Sequence, residues 1–466
     1  MRWVPHDYQR KAIRFIIDKA CAGLFLDPGL GKTSIMLAAF KIMKAKGYVK
    51  RMLVITPLRP MQSTWPGEVA KWDEFNGLHL NVLHGPGKEL FISDGPAYDI
   101  DVINPEGLPW LFSYPMKWWP WDVLCVDEST RFKHTNTQRF HMLKPHLEKF
   151  HRRYILTGSP APNGLLDLFG QIFILDLGHA LERFITKYRI KYFNSTGYGG
   201  YTWVPKEDSE ERIYAKLRPL VLRMDAKDYL QLPPLIYNRV EVELPAAAMK
   251  VYRQMEALMV ADLAGEKVTA ANAAAATMKC RQIANGGIYK AGGTDNGEGS
   301  FERVALEIHE AKVDAVEEIV EERQGRPTLV AYAFDHDLAR LQRRFGPDIP
   351  WIGGGVSGRR FREIEAAWNA GHLPLLFAQP QSVAHGLNLQ GTPAHVVEAA
   401  LTWNLEDRSQ FIQRVWRQGQ TEPVIVHSIV AKDTVDEVIM RVLGKKDRTQ
   451  QALLDALKDY GKRRVA

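Results

Sequence analysis

Short apolar runs separated by amphipathic stretches restrict this chain to one class of fold. In the first half AGLFLD, RMLVITP, YDIDVIN, WDVLCVDE and RRYILTG are apolar through their centres and too short for helices, so buried strands are expected there. Helical patterns such as TSIMLAAFKIMKAK follow or separate them. Strands that are apolar on both faces need cover on both, which a parallel sheet with helices on its two sides provides. A second series comes later, in which PTLVAYA, LPLLFAQ, AHVVEAA and EPVIVHSIV alternate with AKVDAVEEIVEER, DHDLARLQRRF and SGRRFREIEAAWNAG. Two α/β lobes in tandem are therefore expected, residues 1–228 and 229–466, joined near QLPPLIYNR, where paired prolines break any helix. Residues 257–300 differ in character: TAANAAAATMKCRQI predicts a helical insertion in the second lobe, and GGIYKAGGTDNGEGS a glycine-rich loop after it.

A length of 466 residues accommodates two or three domains, each with a sizeable core. No apolar run reaches membrane-spanning length and MRWVPHDYQRKAIRF is charged throughout, unlike a signal peptide, so a cytoplasmic protein with no membrane partner is expected. Cys21, Cys125 and Cys280 lie too far apart for a CxxC pair or a zinc cluster, which leaves packing as their expected role. The formal charge of +7 is unevenly spread: residues 1–228 carry 32 Lys and Arg against 24 Asp and Glu, and the remainder 29 against 30. An excess of eight (32 less 24) on the first lobe suits a polyanion without requiring one.

DPGLGKTS follows the run GLFLD and opens a helical pattern, the setting of a phosphate-binding loop. Gly29 and Gly31 would let backbone N–H groups close around phosphate oxygens. Lys32 would reach the β- and γ-phosphates, Thr33 would hold Mg²⁺ through its hydroxyl, and Ser34 would also contact the nucleotide. The alternative is a glycine-rich turn capped by lysine, since Leu26 stands where the full GxxxxGK[ST] pattern has its first glycine. WDVLCVDE decides between them. Its apolar centre leads to Asp127 and Glu128, two carboxylates delivered at the end of a buried strand; Asp127 would bind Mg²⁺ and Glu128 would polarise an attacking water. Such a pair alone could cap a helix. Beside the loop it predicts hydrolysis of ATP, with ATP and Mg²⁺ as cofactors.

Near the C-terminus, QFIQRVWRQGQ carries Gln410, Arg414 and Arg417 at spacings of four and three, which places them on one face of a helix. Taken by itself the segment is equally a helix with arginines in water.

The order of these elements resembles that of superfamily-two helicases, and more closely the Swi/Snf-type DNA-translocating ATPases, over nearly the whole chain. PHDYQRKAI is similar to the adenine-reading Q motif, which implies Gln9 on the base. DPGLGKT matches the family's shortened phosphate loop and accounts for Leu26. VITPLRPMQSTWPGEVAKW looks like motif Ia, with Trp65 and Trp72 in register, and VINPEGL like motif Ib. DESTRFKH stands for the DEAH box and its following lysine, here Lys133, with Ser129 and Thr130 in place of Ala and His. LTGSPAPN resembles LTGTP-x-x-N, which implies that Thr157 and Ser159 link the phosphate site to DNA. LRPLVLRMDAKDYLQLPP resembles the connector between lobes, and AHGLNLQ motif V, with Gly386 and Asn388 in place. QFIQRVWRQGQ is similar to motif VI, QAxDRAHRIGQ, at Gln410, Arg414, Arg417, Gly419 and Gln420, while Gln413 and Trp416 replace Asp and His.

The resemblance implies an α/β fold of two tandem RecA-like parallel-sheet lobes with a helical insertion. It also implies that Arg414 and Arg417 reach the γ-phosphate held on the other lobe, with Gly386 and Gln410 beside the nucleotide. Lobe closure would then drive movement along double-stranded DNA, including branched or partly single-stranded forms, without complete strand separation. The track would be the phosphate backbone. Candidates for it are Thr56, Asn104 and Lys133 on lobe one and Asn388 on lobe two, with turn capping or solvated charge as the alternative for the first three. Two other readings stay open: a strand-separating DNA or RNA helicase, and an ATP-gated DNA-binding switch with slow hydrolysis, against which Glu128 argues. A bare monomeric motor of the kind carried by bacteriophages and bacteria is expected, with replication or recombination proteins as its partners.

Overall fold

The structure, a computed structural model, describes residues 1–86, 88, 98–115, 119–196, 202–265, 270–290, 294–295, 301–302, 304–383 and 388–463. Two compact units make up the chain: residues 1–230 together with 446–466, and residues 231–445. No helix among the described residues is long and apolar enough to cross a membrane.

The first unit is built on strands β1 (Cys21–Leu26), β2 (Met52–Ile55), β3 (Leu80–Val82), β4 (Ile100–Ile103), β5 (Val123–Asp127) and β6 (Arg152–Thr157). A hairpin of β7 (Phe193–Thr196) and β8 (Thr202–Pro205) comes next, then β9 (Val221–Met224). Seven of these form one sheet in the order β3-β4-β2-β5-β6-β1-β9, every neighbouring pair parallel. β2 and β4 are buried at every position and β5 at all but its last, so the apolar runs lie where both sheet faces are covered. Each fully buried Leu, Ile, Val or Phe there stabilises the fold by about 1.5–3 kcal/mol. One polar knot interrupts this core. Asp101 on β4 is fully buried and accepts from Arg51 Nε at 2.6 Å, Trp121 Nε1 at 2.7 Å and Asn81 Nδ2 at 2.9 Å, which ties β2, β3 and the entry to β5 together.

Helix α1 (Asp7–Ile17) buries Ala12, Ile13 and Ile16, and α2 (Lys32–Ala45) is buried along most of its length. Residues 446–466 fall within the reach read as lobe two but cluster with the first unit, where Leu453 and Leu454 join its core.

In the second unit β10 (Leu235–Val242) comes first. The helices Ala246–Gly265 and Ala270–Asn285 then form the expected insertion, succeeded by short strands β11 (Gly287–Tyr289), β12 (Thr294–Asp295), β13 (Phe301–Glu302) and β14 (Ala305–Glu307). β15 (Thr328–Ala331), β16 (Trp351–Ile352), β17 (Leu375–Ala378), β18 (His395–Glu398) and β19 (Val424–Ala431) complete a parallel sheet in the order β10-β19-β18-β15-β17-β16. The insertion is locked to this sheet by buried polar groups: Lys312 Nζ lies 2.6 Å from Asp436 and donates to Asn285 Oδ1 at 2.9 Å, while Asn285 Nδ2 donates to Asp337 at 3.1 Å. The fold is thus α/β with two parallel-sheet lobes of RecA-like type and a helical insertion. All three cysteines are unbridged. Burial pushes the Cys125 thiol well up and that of Cys280 up to about 11, in keeping with a packing role.

Candidate functional site

Phe25 pairs with Thr157 and Asp127 with Leu156, so β1, β6 and β5 end side by side. The segments leaving these three strands therefore gather at one sheet edge, the carboxyl edge where α/β sheets hold ligands.

After β1 the chain turns through Asp27–Gly31 into α2. Gly29 and Gly31 take φ of 89° and 77°, a region open to glycine at no steric cost. A Cβ on Gly31 would stand 2.6 Å from Gln9 Nε2, so the loop has been drawn tightly against α1. Gln9 Oε1 accepts from the His6 N–H at 3.0 Å and Nε2 donates to the Leu30 carbonyl at 3.3 Å. Its buried amide thus caps α1 and braces the loop. Lys32 Nζ donates to the Leu26 carbonyl at 2.8 Å. Lys32, Thr33 and Ser34 fill the first turn of α2, where backbone N–H groups have no acceptor within the helix and the dipole favours an anion. The Ser34 hydroxyl, however, donates to Glu68 Oε2 at 2.6 Å, an oxygen that also receives Trp72 Nε1 at 2.8 Å. Ser34 therefore offers a ligand its N–H and not its side chain. Asp27 is held at 2.7 Å by Arg223 and at 2.9 Å by the Ala226 N–H, which fastens the loop to the stretch after β9.

Asp127 ends β5. Its Oδ2 accepts from Thr56 Oγ1 and from Trp65 Nε1, each at 3.1 Å, and its Oδ1 from the Glu128 N–H at 3.0 Å. Thr56 is fully buried, and its N–H donates to the Ile103 carbonyl at 3.0 Å. Thr56 thus turns its hydroxyl to Asp127 and its amide to β4, neither of them outward. Glu128 takes φ of 49° and ψ of 55°, a left-handed conformation that costs a non-glycine residue free energy and swings its side chain off the strand line.

Glu128 leads into the turn Ser129–Phe132, and Ser129 Oγ donates to Gln171 Oε1 at 2.7 Å. Gln171 Nε2 in turn donates to the Pro160 carbonyl at 2.7 Å and the Asp167 carbonyl at 2.8 Å. One side chain thus joins the segment after β5 to the segment after β6, where Thr157 Oγ1 accepts from the Ser159 N–H at 3.1 Å. Lys133 Nζ lies 3.7 Å from Asp167. Asn104 Nδ2 donates to Glu106 at 2.9 Å in the turn after β4.

In the second unit the helix Leu405–Val415 ends one residue before Trp416, whose indole donates to the Pro233 carbonyl at 2.7 Å. Arg417 consequently lies beyond the helix, a correction to the single face expected for Gln410, Arg414 and Arg417. Both arginines still meet the same segment. The Arg414 carbonyl accepts from the Leu389 N–H at 3.0 Å, and Arg417 Nη1 donates to Asn388 Oδ1. The Asn388 N–H donates to Glu365 Oε1 at 2.8 Å, and burial raises the Glu365 carboxyl, partly offset by that bond and by Arg414. Gln410 and Gln420 are buried, Gln420 donating to the Thr392 carbonyl at 3.2 Å. Gly386 lies outside the described residues.

The sequence profile described as SNF2-related domain matches residues 8–287, more than half of the chain. Protein p41 of the Acyrthosiphon pisum secondary endosymbiont phage 1 is 35% identical over 98% of this chain and 99% of its own length. The chain belongs to the SNF2-related family. It is an ATPase of the SNF2 helicase and translocase type. Among other SNF2 relatives, the Arabidopsis thaliana CHD3-type chromatin-remodeling factor CHR7 is 25% identical over 99% of this chain but 39% of its own. The human DNA annealing helicase and endonuclease ZRANB3 is 24% identical over 97% and 40%. The chain thus spans about two fifths of these eukaryotic proteins. Among solved structures, the Sulfolobus solfataricus SWI2/SNF2 ATPase core in complex with dsDNA aligns at 21% identity with a TM-score of 0.44, covering 98% of this chain and 94% of that one.

The residues present suit a magnesium nucleotide. Two left-handed glycines shape the cradle, the first turn of α2 supplies N–H groups, and a carboxylate fixed by three donors stands two strands away. Among the described residues no group of three or more His, Cys, Asp or Glu side chains could hold a metal ion. Glu68, Gln171, Arg223 and Glu365 escape sequence reasoning, because each acts on a residue far away in the chain.

Proposed function

We propose that this SNF2-family ATPase hydrolyses ATP to move along double-stranded DNA, with Mg²⁺ as the cofactor ion. The observation that carries the reading is the Asp127 carboxylate, oriented by Thr56, Trp65 and the Glu128 N–H at the same sheet edge as the glycine loop. Lys32 and the first-turn N–H groups would bind phosphate oxygens, and Thr33 with Asp127 would hold the metal. Bound Mg²⁺ supplies charge neutralisation on the β- and γ-phosphates. Glu128 would orient and deprotonate the attacking water. Arg414 and Arg417 would supply positive charge to the γ-phosphate, a contribution of about 10³ to 10⁵ in rate where such arginines are best studied. Asn388 positions Arg417, and Ser129 with Gln171 connects the acidic pair to the segment after β6, which suits coupling of nucleotide state to a DNA track. Asn104, Lys133 and Asn388 remain the candidates for that track.

ATP hydrolysis measured without nucleic acid, and with single strand, duplex or RNA, tests the reading. Duplex is expected to stimulate most, and displacement of a third strand to exceed unwinding of a plain duplex. A second reading, strand separation, draws on hairpin β7–β8, whose Asn194, Ser195, Thr196 and Val204 are exposed. Efficient unwinding of forked duplex without third-strand displacement would favour it.

A further inference from the structure

Beside the acidic pair, on the same sheet edge, lies a recess of about 400 Å³ in which Lys133 is the one lining residue already named as a candidate for the track. The segment after β5 lines it with Lys133, Thr135 and Asn136, the segment after β6 with Asn163 and Asp167, and the helix Ile185–Tyr192 with Arg189. We propose that this recess seats a backbone phosphate of the DNA track, a proposal that rests on the translocase reading above.

Charge favours an anion. Lys133 and Arg189 face one carboxylate, Asp167, which is already engaged by Lys133 at 3.7 Å and by the Asn163 N–H at 2.9 Å. A further cation stands at the rim, for Lys446 Nζ donates to Asn163 Oδ1 at 2.8 Å. Burial pushes the Lys446 ammonium down from its ordinary value, Asp167 offsets part of this, and the neighbouring Lys133 adds to it. The Arg189 guanidinium lies over the Trp203 ring at 5.6 Å, which holds its positive charge at the recess wall. A guanidinium with amide and hydroxyl donors around it matches the several oxygens of a phosphodiester and reads no base.

The test is the affinity for a fluorescent duplex of arbitrary sequence, measured by anisotropy over a series of salt concentrations, with melting temperature as the check on folding. Arg189→Gln is expected to weaken binding several-fold and to make the log–log salt slope shallower by about 0.9, the value of one lost phosphate contact. Asn136→Asp, at an exposed position that tolerates substitution, is expected to weaken binding by repulsion and keeps the test alive should Arg189→Gln not fold. Lys50→Gln, exposed at the opposite sheet edge, is expected to leave the slope at the wild-type value. Wild-type affinity and slope in both recess variants would overturn the proposal while leaving the translocase reading in place. A wild-type protein that binds no duplex would overturn both. Inorganic phosphate that raises the wild-type melting temperature but not that of Arg189→Gln, with the duplex slope unaltered, would assign the recess to free phosphate instead.

Discussion

Replacing Thr56 with Val is expected to impair the chemical step directly. Thr56 is fully buried and Val has nearly its shape, so the change opens no void and removes one thing, the 3.1 Å hydrogen bond to Asp127 Oδ2. A hydrogen bond to a charged group is worth about 1.5–3 kcal/mol. If that energy holds the carboxylate where the metal needs it, its loss corresponds to about 10- to 150-fold in rate. Trp65 Nε1 still donates to the same oxygen, which sets the expected loss toward the lower part of that range. Steady-state hydrolysis with Mg²⁺ titrated at fixed ATP reads the effect twice, as a lower kcat and as a higher Mg²⁺ midpoint. Thr56→Ser, which keeps the hydroxyl, should stay close to wild type. Hydrolysis by Thr56→Val within twofold of wild type and an unmoved Mg²⁺ midpoint would refute the reasoning. A rise only in the duplex concentration needed for stimulation would instead place Thr56 on the DNA track.

Glu128→Gln should keep nucleotide binding while lowering turnover by about a hundredfold or more, as measured by comparing bound fluorescent ATP with phosphate release. Arg414→Ala and Arg417→Ala should leave ATP affinity largely intact and lower kcat sharply, with Lys a poor substitute because a point charge does not reproduce the planar fork; unchanged kcat in both would exclude them from catalysis. Lys312→Met strands the fully buried Asp436 and should cost about 3–5 kcal/mol in denaturant unfolding, whereas Lys312→Met with Asp436→Asn should cost clearly less. His309, through burial, and His395, through burial and then Arg323, are pushed down from 6.5 to about 4 in the folded protein. The unfolded chain therefore binds protons that the native state refuses between those values, so stability is full above pH 6.5 and falls as pH drops toward 4. His395→Gln should make that fall shallower, and an identical pH profile would remove His395 from its cause.

The apolar runs that became β1, β2, β4, β5 and β6 could be recognised because a strand covered on both faces has to be apolar at nearly every position. Asp127 and Glu128 could be recognised for a related reason, since they are local punctuation at the end of such a run. β10 escaped the same reading because it is an edge strand with most of its side chains exposed, and β3 because three residues carry too little pattern. Arg417 was misplaced because spacing alone cannot show where a helix stops. The cause of its stop after Val415 is tertiary: the Trp416 indole reaches the Pro233 carbonyl, 183 residues away in sequence. The partner of Thr56 was hidden for the same kind of reason. Its motif places it at the end of β2, but the side chain points at Asp127, 71 residues on, because β2 and β5 are adjacent in the sheet. Local composition thus determined which segments are strands, loops and candidate chemistry. Which way each side chain faces, and whether it meets a ligand or another residue, depended on strand neighbours that only the folded chain brings together.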